Sequence, residues 1–81
     1  MTIRLDARRS MSMKQLRGFV QEMRTYFPKF ALSYSAANLY TNKDDLVTDI
    51  ILAETEAYQH IDPEVVNECA VKSYRKVMRH E

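Results

Sequence analysis

The scarcity of turn-forming residues is the feature that most constrains this fold, because the 81 residues include one glycine and two prolines. Sheets assembled from repeated hairpins depend on glycine-containing turns, so that architecture is disfavoured. From Met13 onwards, apolar residues recur at intervals of three and four, which is the helical period. We therefore predict an all-α fold, a small bundle of three long helices plus one short helix.

The first long helix is predicted over residues 13–26. Ser12 is expected to be its N-cap, Gln15 to complete a capping box, and Pro28 to end it. Gly18 lies inside this helix, where glycine is about 1 kcal/mol less favourable than alanine. It indicates either the close approach of a neighbouring backbone or simple tolerance. The apolar stripe of the helix consists of Met13, Leu16, Val20, Met23 and Phe27.

Residues 30–40 contain many small side chains and are predicted to form the short buried helix. Leu32, Ala36 and either Leu39 or Tyr40 fall on one side of that helix. The alternation of Leu32, Tyr34 and Ala36 also suits a strand, so the sequence leaves both structures open.

Two further N-caps place the remaining long helices. Thr41 is expected to cap the third helix, which has acidic residues in its first turn and runs to about Gln59. Asp62 and Pro63 are expected to open the fourth helix, as its N-cap and its first helical residue.

A single helical domain is expected over residues 12–81, preceded by a basic N-terminal arm or short strand over residues 1–11. Polar and apolar residues alternate over residues 2–6, which is the period of a strand. A lone strand needs a partner for its backbone groups, and the natural partner is the same segment of a second copy. The alternative is a frayed basic terminus.

We expect a soluble protein in a reducing cytoplasm. No apolar run reaches the roughly 18 residues that a membrane span needs, and the first nine residues lack the apolar core of a secretory signal. Cys69 is the single cysteine, so it cannot form an internal disulfide.

The net charge of +1 conceals three blocks of opposite sign. Residues 1–43 contain eight basic and two acidic side chains, and residues 44–68 contain eight acidic side chains and no Lys or Arg. Residues 69–81 contain four basic side chains and one acidic side chain. An acidic helix beside basic ones can fix the order of helices in a bundle, or the two surfaces can bind partners of opposite charge. The sequence leaves both interpretations open.

No catalytic or metal-binding constellation is recognisable, so we expect a protein that is not an enzyme and uses no metal or cofactor. Cys69 falls on the apolar side of the fourth helix, where a buried structural thiol is expected. His60, Asp62 and Glu64 form the one candidate metal cluster, and we interpret them as cap and turn residues.

The opening Thr2-Ile3-Arg4-Leu5-Asp6, followed by a helix and later by a second capped helix, resembles the start of ribbon-helix-helix repressors. The resemblance implies a dimeric two-stranded ribbon that reads the major groove, with Thr2, Arg4 and Asp6 towards the bases. Ile3 and Leu5 would face the dimer core. Two features depart from that pattern: about fourteen residues separate the helices where a short turn is usual, and the later helix is acidic.

These observations predict two alternative functions. The preferred one is a non-catalytic regulatory protein, an inhibitor or adaptor of the kind that phages and mobile elements encode, which binds another protein through charged helical faces. Its acidic face consists of Asp45, Asp49, Glu56, Glu64 and Glu68. The alternative is a dimeric DNA-binding regulator whose basic residues are Arg4, Arg8, Arg9, Lys14, Arg17 and Arg24. The wide apolar stripe of the first helix, with Phe19 and Phe27, predicts a homodimer.

Overall fold

The structure is a computed structural model that describes residues 8–79. Four helices lie wholly within this part of the chain, which contains no strand: α1 (Met13–Tyr26), α2 (Tyr34–Ala37), α3 (Lys43–His60) and α4 (Pro63–Arg79). The prediction of an all-α bundle with three long helices and one short helix is confirmed.

The start of α1 is fixed by a reciprocal pair of hydrogen bonds. The backbone N–H of Gln15 donates to Ser12 Oγ at 3.1 Å, and the backbone N–H of Ser12 donates to Gln15 Oε1 at 2.8 Å. Both groups lack partners within the helix, so this capping box satisfies them. At the other end, the N–H of Phe27 donates to the carbonyl of Met23 before Pro28. The predicted cap and both ends of α1 are confirmed.

The segment over residues 30–40 is less helical than predicted, because α2 spans only four of its residues. Ser33 Oγ accepts from the N–H of Ala36 at 3.1 Å, and the Asn38 amide donates to the carbonyl of Tyr34 at 2.9 Å. These polar side chains close a single helical turn at both ends, so the helix does not continue to Leu39. Of the two residues that the sequence left open for this side, Leu39 is 82% exposed, whereas Tyr40 packs against the core.

The third helix begins one residue later than predicted. Asn42, and not Thr41, is the N-cap of α3, and its Oδ1 accepts from the N–H of Asp45 at 3.2 Å. Asparagine is at least as good an N-cap as threonine, so adjacent candidates are not separated by residue type alone. For α4 the predicted start is confirmed, since Asp62 Oδ1 accepts from the N–H of Glu64 at 3.0 Å and Pro63 is the first helical residue.

The core is formed where α1 packs against α3 and α4. Met11 is also fully buried, so the core includes a residue that precedes the predicted helical domain over 12–81. A methyl group placed on Gly18 would lie 3.5 Å from Val77 Cγ2, which is ordinary contact. Val77 therefore approaches the α1 backbone closely, yet the position has room for alanine. The residues of the three long helices that fill this core include Leu16, Phe19, Val20, Met23, Leu46, Ile50 and Ala70.

The predicted strand over residues 2–6, and the ribbon that the resemblance implies, lie outside the described residues. Within residues 8–79, no helix combines the length and the apolar character that crossing a bilayer requires.

Candidate binding surfaces on α3 and α4

The basic residues of the N-terminal half do not form one surface, and Arg8 shows this most clearly. Its guanidinium is buried and forms an ion pair with Glu54 of α3, where the side chains are 7% and 6% exposed. Arg8 is therefore not on the exposed basic face that the sequence predicted. Its role is structural, because a buried arginine needs a carboxylate partner and Glu54 provides one.

Glu54 is the buried charge that sequence reasoning missed. Burial raises the pKa of its carboxyl above the ordinary value of 4.5, although Arg8 opposes that rise. A signal was present in the sequence, since Glu54 follows Ile50 by four residues on the inner side of α3. Its partner left no such signal, because Arg8 lies 46 residues away in the chain.

Two other arginines from the predicted basic set bind backbone carbonyls. Arg17 donates to the carbonyl of Tyr40 at 3.0 Å and lies 3.5 Å from that of Ala37, at the end of α2. Arg24 donates to the carbonyl of Phe30. Both side chains hold residues 30–40, which connect α1 to α3, against α1. Of the remaining residues, Arg9 and Lys14 are exposed and Arg4 lies outside the described part of the chain.

The exposed side of α3 carries a line of residues that we call the acidic ridge: Asp45, Asp49, Leu52 and Glu56. Their spacing of four, three and four residues places them on one side of the helix. Leu52 is 60% exposed and lies at the centre of the solvent-facing arc, with acidic residues before and after it. Three residues of the predicted acidic face are thus brought together, along with a leucine that the sequence analysis did not select.

A shallow depression lies on each side of Leu52. One has a volume of about 200 Å³ and lies between Arg9 and the α3 residues Thr48 and Ile51. The other has a volume of about 190 Å³ and lies between Leu32 and the α3 residues Asp49 and Glu56. Leu52 is consequently a raised apolar side chain with concave surface on both flanks.

A larger aromatic groove of about 640 Å³ continues from the acidic ridge. Its apolar walls include Tyr26, Phe27 and Phe30 on the α1 side and Ala57 and Ile61 on the α3 side. The groove and the depression beside Leu32 share three lining residues: Ala31, Ala53 and Glu56. Ridge and groove therefore form one continuous surface.

The remaining acidic residues of the predicted face lie on α4. Glu64 and Glu68 are exposed, and Glu68 forms an ion pair of 3.2 Å with Lys72. Hydrogen bonding to Glu68 raises the pKa of Lys72. The structure places these two carboxylates on a separate helix from the acidic ridge, so the five predicted residues divide into two groups.

Four exposed cations lie on one side of α4 and form what we call the basic face: Lys72, Arg75, Lys76 and Arg79. They border a depression of about 430 Å³ whose lining consists of these four side chains. In the sequence they were counted as the four basic side chains of residues 69–81 and were assigned no role. Their spacing of three, one and three residues was the signal that could have identified them.

Cys69 and the candidate metal residues have local structural explanations. Cys69 is partly buried against the core, and burial raises the pKa of its thiol. Asp62 caps α4, as described above. Over residues 8–79, no cluster of three or more His, Cys, Asp or Glu side chains is arranged to hold a metal ion.

The aromatic residues from which a homodimer was predicted are largely buried in the core of a single chain. Phe19 is fully buried in the core, and Phe27 is half-buried beside it. The homodimer stays a prediction. Comparison of the chain with protein-family models, with curated proteins and with solved structures finds no match.

Proposed function

We propose that this protein is a non-catalytic regulator that binds another protein through the acidic ridge and the aromatic groove. The observation that supports this most directly is Leu52, which is 60% exposed between acidic residues and adjoins a continuous apolar groove. Single exposed leucines are common on protein surfaces. A leucine that is contiguous with a large apolar depression is typical of an interaction surface.

The charge of the ridge selects the kind of partner. Asp45, Asp49 and Glu56 lie on one side of α3, so the field around Leu52 is negative and attracts a basic segment. The same charges repel phosphates, which disfavours nucleic acid as the ligand of α3. The partner is therefore a protein with lysine or arginine residues around an apolar side chain.

The aromatic groove supplies the apolar contact that charge alone does not. Ligand pockets have volumes of roughly 300–1,000 Å³, and at about 640 Å³ this groove can hold one or two large side chains. Interfaces derive most of their binding energy from a few buried apolar or aromatic anchors surrounded by polar groups. The proposed partner inserts an anchor between Phe30 and Ile61 and places its cations on the ridge.

A capture experiment with matched variants tests this proposal. Tagged wild-type protein and its Leu52→Asp variant are incubated with host lysate, and the bound proteins are identified by mass spectrometry. Leu39→Asp is the matched control, because Leu39 is also highly exposed but lies beyond α2. A protein enriched by the wild type and by Leu39→Asp, and lost with Leu52→Asp, is the expected result.

Affinity measurements with the captured protein then separate charge from apolar contact. Replacing both Asp45 and Asp49 with lysine should weaken binding by at least about tenfold and reduce its salt dependence. The same reversal at Glu64 and Glu68 tests whether the α4 carboxylates belong to the surface. Equal recovery of every captured protein by all variants would contradict the proposal.

A further inference from the structure

We propose that the basic face of α4 binds the phosphate backbone of double-stranded nucleic acid. This site lies on a different helix from the proposed protein-binding surface and involves none of its residues. The face surrounds a depression of about 430 Å³ whose lining residues are Lys72, Arg75, Lys76 and Arg79.

The composition of this lining favours phosphate over a protein surface. Protein interfaces are enriched in aromatic residues, methionine and arginine, and their cores are otherwise depleted of charge. Lysine and arginine line this depression without an apolar or aromatic residue among them, so a protein partner would find no anchor there. Phosphate oxygens need only charge and hydrogen-bond donors, and arginine supplies several donors in one plane.

Two cations of the face form ion pairs with carboxylates of this protein. Glu68 pairs with Lys72, and Glu22 of α1 pairs with Lys76 at 3.1 Å. The two lysines are more than half exposed in these pairs, so solvent screens the attraction and a phosphate can replace the carboxylate at small cost. Lys72 and Lys76 therefore stay available to a phosphate despite these pairs.

The dimensions of the face suit a nucleic acid strand. Residues 72–79 rise about 10 Å along the helix axis, at about 1.5 Å per residue. Phosphates of one strand recur every 3.4 Å along a duplex, so the face covers about three of them. Proteins that bind single strands offer aromatic side chains on which bases stack, and the depression has none in its lining. A duplex is therefore the ligand.

A membrane surface is disfavoured by the same residues. Helices that lie in the lipid interface place large apolar side chains beside their cations. Among the described residues of α4, the exposed large apolar side chain is Val65, which is 43% exposed and lies seven residues before Lys72. The more strongly exposed Leu39 and Leu52 lie outside α4. The apolar residues Val66, Ala70 and Val71 of α4 face the core of this protein.

Fluorescence anisotropy with a short labelled DNA duplex of mixed sequence tests the proposal. The full-length protein should bind with a dissociation constant of roughly 10⁻⁶–10⁻⁴ M, and affinity should fall steeply between about 50 and 200 mM salt. Three phosphate contacts predict a slope of about −3 in a plot of log affinity against log salt concentration. No binding at the lower salt concentration would overturn the proposal.

A pair of variants with equal net charge locates the site. In the face variant Lys72, Arg75, Lys76 and Arg79 become glutamine, and in the control variant the same change is made at Arg9, Lys14, Lys29 and Lys43. The face variant should lose at least about tenfold in affinity, with a slope shallower by about three, whereas the control should lose less than about threefold. Equal losses would overturn the assignment to α4, provided circular dichroism shows both variants folded.

Measurements with two alternative ligands, single-stranded DNA and lipid vesicles, complete the test. Tighter binding to the corresponding single strand than to the duplex would contradict the duplex assignment. Binding to vesicles of phosphatidylcholine and phosphatidylserine in equal parts, with an affinity equal to that for the duplex, would assign the face to membranes instead. Duplex binding that exceeds both is the expected result.

Discussion

Two ion pairs each join separate segments of the chain, and they differ in how far they are exposed to solvent. Arg8 and Glu54 are almost fully buried and attach the N-terminal segment to α3. Lys76 and Glu22 lie at the edge of the contact between α4 and α1, and Lys76 is 58% exposed. Each charge of the buried pair requires the other, because neither can reach water. The exposed pair leaves its lysine accessible to a ligand.

Removing one partner of the buried pair should have the largest effect on stability. Arg8→Met leaves the Glu54 carboxylate buried without a counter-charge, which costs about 3–5 kcal/mol. Replacing both residues, as in Arg8→Met with Glu54→Leu, should recover most of that loss, since apolar groups of similar volume suit a buried site. Urea unfolding followed by circular dichroism measures both free energies.

The neighbouring residue provides a control for this prediction. Arg9→Met removes the same charge from an exposed position and should change stability by less than about 0.5 kcal/mol. If Arg8→Met were no more destabilising than Arg9→Met, the buried pair would not hold the N-terminal segment in solution.

The stability difference between the wild type and Arg8→Met should depend on pH. Burial raises the pKa of Glu54 above 4.5, so the folded protein keeps this proton to a higher pH than the unfolded chain. Stability contributed by Glu54 is therefore greatest in acid and declines as pH rises through the folded pKa. Arg8 lowers that pKa, so its removal extends the decline to higher pH.

Unfolding measured from pH 7 down to about 4.5 checks this dependence. The deficit of Arg8→Met should be largest at neutral pH and should narrow in acid, where the carboxyl is protonated in both proteins. Other carboxylates titrate in both proteins alike and cancel in the difference. A deficit that stays constant over this range would show that lost packing, and not the unpaired charge, causes the destabilisation.

The contrast between the pairs also explains which features the sequence could predict. The capping box of Ser12 and Gln15 depends on residues three apart, so α1 could be placed to the residue. The helical period also identified the bundle and three members of the acidic ridge. The pairing of Arg8 with Glu54 depends on the packing of segments 46 residues apart, which no local pattern encodes. The exposure of Leu52 and its continuity with the aromatic groove likewise follow from tertiary packing.

A backbone substitution next to the exposed pair should have a moderate effect, in the opposite direction. Gly18→Ala should stabilise the protein by roughly 0.5–1 kcal/mol, because alanine favours the helix and its methyl group meets Val77 at ordinary contact distance. Thermal and urea unfolding both measure the gain. A loss of stability would mean that the new methyl group lies closer to Val77 Cγ2 than 3.5 Å.

The smallest effect is expected at the exposed pair itself. Lys76→Gln should cost no more than about 1 kcal/mol, since exposed pairs typically contribute 0.2–1 kcal/mol and salt screens them. The double variant with Gly18→Ala should then be about as stable as the wild type or more stable, because apolar contact and helix propensity outweigh the ion pair at this contact.

Urea unfolding of Lys76→Gln at low and high salt, with Glu22→Gln as the partner control, checks this prediction. Both single variants should lose similar amounts at low salt and almost nothing at high salt. A loss above about 2 kcal/mol would place Lys76 with Arg8 among the charges that the fold requires. A small loss means that Lys76 can exchange Glu22 for a phosphate without loosening α1 from α4, as the proposed role of the basic face requires.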